Sequence, residues 1–263
     1  MAAVTGAFYR RDGDGYVASE LTRGPWDEGS QHAGPPCALL GRAIDRAGGL
    51  AAGRLARITF EILRPVPIAA LTVAAEVVRP GRSVELVEGE LRHDGVAVIR
   101  ARAWRIRTAE VAVDRHAPEP QPLTPPERAR GSTFFPVPWD VGYHTAMDVQ
   151  FVDGDFVEPG PARAWMRMGV DLVEGEPPEP RDRVLVAADS GNGVSAPLDY
   201  RRYVFINCDL NVNLRRMPAG DWVALDAVTY AGADGIGMSD SVLHDRDGMI
   251  GRATQALLVS ERP

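Results

Sequence analysis

The sequence predicts an α+β fold in which one unit is used twice, each unit a helix followed by a meander of antiparallel strands. Three observations predict it. A helix-like run followed by strand-like runs occurs in the first half of the chain and again in the second. The two series superpose at an offset of 152 residues that keeps inward and outward faces in phase. A proline-dense stretch lies between them.

The first unit opens with GPPCALLGRAIDRAGG (Gly34–Gly49). Proline at its start, an Ala/Leu/Ile core and Gly-Gly at its end predict a helix. Strands are predicted at LARITFEILRP (Leu55–Pro65), ALTVAAEVV (Ala70–Val78), SVELVEGEL (Ser83–Leu91) and VAVIRARAWRI (Val96–Ile106), the last two joined by the turn RHDG. In the second unit Val184–Val194 takes the helix position. VFINCDLNVNL, WVALDAVTY (Trp222–Tyr230), GIGMSDSVL (Gly235–Leu243), the turn HDRDG and MIGRATQALLV (Met249–Val259) follow.

At the common offset Ile58 meets Leu210, Phe60 meets Val212, Ile62 meets Leu214, Arg64 meets Arg216 and Leu91 meets Leu243. A slip of one residue would turn every side chain to the other face, so the retained phase means one sheet built twice. One extra residue in the second hairpin turn brings Asp94-Gly95 over Asp247-Gly248, and Arg102 over Gln255.

Between Thr108 and Pro138 stand Pro118, Pro120, Pro122, Pro125, Pro126, Pro136 and Pro138. That density suits neither a helix interior nor a central strand and reads as a semi-rigid linker. The expected division is residues 1–110, a linker at 111–138, and a second unit at 139–263 that carries the chemistry.

Composition narrows the function. A net charge of -7 without a basic stripe or tail argues against nucleic acid and against an anionic membrane surface as partners. No run approaches the roughly 18 apolar residues needed to span a bilayer, and MAAVTGAFYRRDGDG lacks the apolar core of a signal peptide. Only Cys37 and Cys208 are present, which suits a reducing cytoplasm. Every basic residue is arginine, so no Schiff-base lysine and no P-loop lysine can exist here. No Gly-x-Gly-x-x-Gly opens a helix, and GNGVS lacks the spacing of a nucleophile elbow. His32, His93, His116, His144 and His244 are scattered, without metal-ligand spacing. Neither a metal nor a cofactor is expected.

The stretch INCDLNVNL then poses a question. Period-two alternation places Ile206, Cys208, Leu210, Val212 and Leu214 on one face of a strand, and Asn207, Asp209, Asn211 and Asn213 on the other. By this reading Cys208 belongs to the core. Polar residues present in only one unit need their own explanation, and three qualify. Asn207 stands where the first unit has Leu55, and Gln255 where it has Arg102. Asp189 follows the apolar VLVAA, where the first-unit helix carries only Pro, Cys, Ala and Leu. A carboxylate and amides among apolar neighbours cost free energy unless they are hydrogen-bonded, which marks them as site candidates. Each has a plainer alternative: a helix-end Asp, one member of a solvated Asn face, and a satisfied cross-strand Gln.

The segments AADSGNGVSAPL, FINCDLNVNLRR and DGIGMSDSVLHDRDGMIGRATQALLV, with HAGPPCALLGRAI and ITFEILRPVP, resemble the double-hotdog acyl-CoA thioesterases, the type II enzymes and their actinobacterial thioesterase-like relatives. The resemblance covers nearly the whole chain outside the linker. It implies a double hotdog, two tandem antiparallel sheets each wrapped around a central helix. It implies an acyl-CoA or acyl-carrier thioester as substrate, hydrolysed by water without metal or covalent intermediate, and a homo-oligomer, dimer or higher. The family's water-holding Asp and Gln correspond to Asp189 and Gln255. Asn207 occupies the family's Thr position. The family's Gly-Gly is Ala33-Gly34 here, which places the carbonyl-polarising backbone N–H at Gly34, with His32 beside it as a positioning residue. Two other classes share the fold: an enoyl-thioester hydratase or dehydratase, for which His32 is the one candidate histidine, and a non-catalytic acyl-thioester binder.

Overall fold

The computed structural model describes residues 5–112, 120–131 and 137–262. His116, Pro118 and Pro136 of the sequence reading lie outside the described residues. The chain begins with β1 (Ala7–Asp12) and β2 (Gly15–Ala18), followed by α1 (Gly34–Ala47) and the strands β3 (Gly53–Ile62), β4 (Ala70–Arg79), β5 (Val84–His93) and β6 (Val96–Arg107). The second half runs β7 (Arg130–Gly131), α2 (Tyr143–Ala146), β8 (Met147–Asp155), β9 (Glu158–Met168), β10 (Asp171–Val173), α3 (Pro180–Ala188) and α4 (Gly191–Val194). It ends with β11 (Tyr203–Asn207), β12 (Asp209–Leu214), β13 (Trp222–Ala231), β14 (Ile236–Asp245) and β15 (Gly248–Glu261).

The expected helix and strands of the first unit are present, as are the last strands of the second. Sequence patterning does not reveal β1, β2, β8, β9 and β10. In β9 the reason is visible: Pro159 and Pro161 argue against a central strand, yet pairing to β13 starts only at Ala162, beyond both prolines. The stretch read as a linker is also docked. Trp165 Nε1 donates to Thr124 O over 2.7 Å, Glu127 pairs with Arg246, and β7 adds to the edge of β8.

The two expected sheets are joined into one. Its order is β10-β1-β2-β4-β5-β6-β3-β12-β15-β14-β13-β9-β8-β7, with β11 on β15. The join is the antiparallel pair β3–β12, which satisfies two strand edges that separate sheets would leave open. At its centre Thr59 lies opposite Asn211, its own counterpart at the 152-residue offset, and donates to Asn211 Oδ1 over 2.7 Å. The relation between the halves is therefore a pseudo-twofold passing through this pair.

The structure corrects the offset in the last hairpin. Leu91 pairs with Ile99 and His93 with Val96; Leu243 pairs with Gly251 and Asp245 with Gly248. Both turns thus hold two residues, and the offset stays constant. The counterpart of Gln255 is Ala103, fully buried and inward-facing, rather than Arg102, which is exposed and paired with Glu88.

One face of the sheet is apolar and takes the helices. α1 packs against β3, β4, β5 and β6, whereas α3 lies on β9 and β13, and α4 on β9, β13, β14 and β15. The two long helices also pack on each other, with Arg42 and Asp182 in a buried ion pair between them (2.5 Å). Arg181 continues the chain of charges to Asp45, and Arg105 to Asp45 and Glu85. No helix among the described residues is long and apolar enough to cross a membrane.

Candidate active site

Helix α3 stops at Ala188, and α4 starts at Gly191. The interruption falls on Asp189-Ser190, so Asp189 is indeed a helix-end residue, but one turned inward with only 3% exposure. A single helix over Val184–Val194 is thus replaced by two pieces with the carboxylate at the joint.

Asn207 reaches that carboxylate because of a β-bulge. On β15, Leu257 faces Asn207 and Thr254 faces Asn211, so β11–β12 carries one residue more than its partner over this span. The extra residue reverses the alternation. Phe205 is buried and Asn207 half-buried on the helix side, Ile206 and Cys208 are exposed, and from Leu210 the even-numbered residues are the buried ones. Two expectations change accordingly. Cys208 is exposed rather than core. Asn207 does not share a face with Asn211 and Asn213. The first half has the same irregularity between Leu55 and Arg57, with Leu55 buried where Asn207 stands.

The three candidates meet. Asn207 Nδ2 donates to Asp189 Oδ1 over 2.9 Å and to Asp209 O over 3.1 Å. Gln255 Nε2 donates to the Asp189 backbone O over 3.0 Å and to Oδ1 over 3.4 Å. The orientation of the Gln255 amide follows from its other end, where Oε1 accepts the Asn192 N–H over 3.1 Å. Both side-chain amides are therefore spent on fixing one carboxylate oxygen. The strand positions equivalent to Asn207 and Gln255 are Leu55 and Ala103, so the first half has no such centre.

The other carboxylate oxygen faces His32. Its Nδ1 lies 3.1 Å from Asp189 Oδ2 and 3.1 Å from the Gly34 amide N, which donates to it. Gly34 is the first residue of α1, and Pro35 and Pro36 behind it carry no N–H, so its buried amide is the one N–H that the first three residues of the helix offer. A Cβ at Gly34 would stand 2.5 Å from Val186 O, which is why this close approach of α1 to α3 needs glycine. Burial lowers the His32 pKa, against the opposing effect of Asp189. A neutral imidazole nitrogen either accepts or donates, so Nδ1 can serve Gly34 or Asp189 but not both at once.

Tyr143, which sequence reasoning missed, fixes the His32 ring. The two rings stack at 3.7 Å with an interplanar angle of 4°, and the Tyr143 hydroxyl hydrogen-bonds Val186 O and Ser190 Oγ, both at 3.0 Å. Burial pushes its phenol pKa up. Nothing in VGYHTAM marks this role, because the partner comes from more than a hundred residues away. His32, Asp189, Ser190 and Asn207 line a cavity of about 450 Å³ whose other walls include Trp26, Ile62, Val66, Phe156, Ile206 and Leu258. A cavity with mostly apolar walls, the Asp189 cluster within it and the charges of Asp27 and Arg64 also in its lining, suits an acyl group with one reacting polar centre. Among the described residues no group of three or more His, Cys, Asp and Glu could hold a metal ion.

Residues 114–259 match the model of the acyl-CoA thioesterase C-terminal domain, and residues 22–106 that of the N-terminal domain. Among solved structures, a candidate thioesterase II of Thermobifida fusca is similar, at 16% identity over 95% of this chain and 94% of that one, with a TM-score of 0.76. A protein of unknown function with a hot dog fold from Alicyclobacillus acidocaldarius gives 17% identity, 97% and 96% coverage and 0.73. A candidate thioesterase of Novosphingobium aromaticivorans gives 20% identity, 95% and 98% coverage and 0.73. At these identities the likeness shows the fold, which is the hot dog. No curated protein matches the chain.

Proposed function

The chain belongs to the acyl-CoA thioesterase family, and from that premise we propose that it hydrolyses an acyl thioester to free acid and thiol at the Asp189 centre. The observation that carries this reading is the convergence of Asn207, Gln255 and His32 on one buried carboxylate that lines a mostly apolar cavity. The two units of the chain would each be a hot dog, with Asp189, Asn207 and Gln255 supplied by the second, residues 139–263, and His32 and Gly34 by the first.

In the proposed reaction Asp189 takes a proton from a water molecule as that water attacks the thioester carbonyl carbon. Asn207 and Gln255 hold the carboxylate through Oδ1 and leave Oδ2 to serve as the base. The Gly34 N–H at the start of α1 stabilises the oxyanion, exchanging its bond to His32 Nδ1 for one to the carbonyl oxygen. His32 Nδ1, once released from Gly34, is available to Asp189. When the tetrahedral intermediate collapses, the C–S bond breaks and the thiolate receives the proton held by Asp189.

The test is thiol release from acyl-CoA thioesters of graded chain length, with Asp189→Asn as control. Turnover by the parent chain and its loss in a folded Asp189→Asn variant support the reading. Equal turnover in both sinks it. The His32–Asp189 pairing also supports a second reading, hydration of an α,β-unsaturated thioester. That reaction would consume the enoyl chromophore and release no thiol, whereas a non-catalytic binder would bind the thioester and do neither.

A further inference from the structure

Arg64 and Arg216 occupy the same place in the two halves, and their surroundings differ in one decisive respect. Each follows a strand end fixed by the same backbone bond. Leu63 N donates to Val98 O over 3.0 Å in the first half, and Arg215 N to Ile250 O over 3.0 Å in the second. Arg216 then turns onto a buried carboxylate: its Nη2 donates to Asp245 Oδ1 over 2.6 Å and to Gly248 O over 3.1 Å, and Nη1 pairs with Oδ2. Asp245 is further held by the amides of Ala219 and Asp247. The position of Asp245 in the first half is His93, whose Nδ1 lies 3.0 Å from Ala70 O. The carboxylate is missing, and Arg64 has no ion pair or side-chain hydrogen bond among the described residues. Its side chain instead lines the cavity that holds Asp189.

Asp27 is the other rim charge, and its Oδ1 already accepts from Gly29 N and Ser30 Oγ. Ile62, two residues before Arg64, donates its N–H to Cys208 O, next to Asn207. Arg64 thus stands solvent-exposed in the lining of the cavity that holds the reacting centre, its guanidinium without a protein partner among the described residues, beside walls that are mostly apolar. A guanidinium in this state is suited to bidentate recognition of a carboxylate or phosphate.

The geometry points to Arg64 as the binding residue for an anionic group of the thioester substrate, either a carboxylate at the far end of a short acyl chain or a phosphate of the carrier arm. The assignment rests on the hydrolase reading above and adds to it the charge of the substrate. Steady-state kinetics of the full chain, its Arg64→Gln variant and its Arg64→Lys variant separate the possibilities, with butyryl and succinyl thioesters each presented on coenzyme A and on uncharged N-acetylcysteamine.

A rise in KM of about tenfold or more in Arg64→Gln, with kcat retained and part of the loss restored by lysine, is the expected result. If the rise is confined to the coenzyme A thioesters, the anion is the carrier's phosphate. If it is confined to the succinyl thioesters on both carriers, the anion is the acyl carboxylate. Unchanged KM for all four substrates in Arg64→Gln overturns the anion site and leaves the hydrolase reading standing. A parent chain that turns over none of the four overturns the hydrolase reading and this inference with it.

Discussion

Asn207 Nδ2 lies 2.9 Å from Asp189 Oδ1, and the second hydrogen of the same amide is committed to Asp209 O. The residue is thus a bracket between the strand end and the carboxylate at the helix break. A hydrogen bond to a charged group contributes about 1.5–3 kcal/mol.

Removing the bracket should slow chemistry without weakening substrate binding, because Asn207 touches the base rather than the acyl chain. Asn207→Ala is expected to lower kcat by roughly ten- to a hundredfold, by the same 1.5–3 kcal/mol, at nearly constant KM. Asn207→Thr, with a shorter and stiffer side chain that still donates, should retain part of the activity. A kinetically silent Asn207→Ala on a confirmed substrate would remove this residue from the site.

Cys208 is exposed and lines the Asp189 cavity, while Cys37 is buried and its thiol is pushed up by that burial. Iodoacetamide should therefore place one adduct per chain, on Cys208, and inhibit by filling the cavity rather than by blocking a nucleophile. Mass spectrometry and residual activity are the readouts. Cys208→Ser should be fully active and insensitive; a Cys208→Ser enzyme that loses activity would mean the thiol takes part in the reaction.

Asp182 is fully buried, pairs with Arg42 and Arg181, and accepts the Glu179 N–H at the start of α3 over 2.9 Å. Asp182→Ala would leave two buried guanidinium groups short of a partner and is expected to cost about 3–5 kcal/mol. Removing the exposed Asp240–Arg252 pair should cost only about 0–1 kcal/mol. Chemical denaturation of both variants tests the contrast, and equal losses would show that the inter-helix pair contributes nothing special.

Stability should also fall in mild acid. Burial holds His32, His144 and His244 below the ordinary imidazole value of 6.5, against the pull of nearby carboxylates. Near pH 6 the unfolded chain then binds more protons than the folded one. The stability of these groups is present above the unfolded value and lost as pH falls through it towards the folded values. Glu90, held low by Arg100, and Asp245, held low by Arg216 against the cost of burial, act in a lower window that begins below about 4.5. The melting temperature should therefore begin to drop between pH 7 and pH 5. A flat profile over that interval would contradict the imidazole assignment.

Periodicity and internal repetition were enough to predict the helix at Gly34, the meander of strands, and the phase that puts Ile58, Phe60, Leu210 and Val212 in one core. These follow from local rules, alternation along a strand and capping at a helix end, which every residue in a run reports together. The polar residues that break the repeat, Asp189, Asn207 and Gln255, were legible for the same reason, since a departure from a doubled pattern shows in one sequence. Their meeting was not legible. It depends on a bulge that turns Asn207 inward, on a helix break that turns Asp189 towards it, and on α1 from the other half bringing His32 and Gly34 to the remaining oxygen. The bulge shifts the buried face by one residue, but Ile206 and Cys208 are apolar although exposed, so INCDLNVNL reads as an unbroken strand until its hydrogen bonds to β15 are counted. The constant offset in the last hairpin, and with it Ala103 as the counterpart of Gln255, was likewise settled by strand pairing, because two similar Asp-Gly steps align equally well when only the chain is compared. The join of the two sheets and the stacking of His32 on Tyr143 belong to tertiary structure alone: each unites segments whose sequences carry no mark of the other.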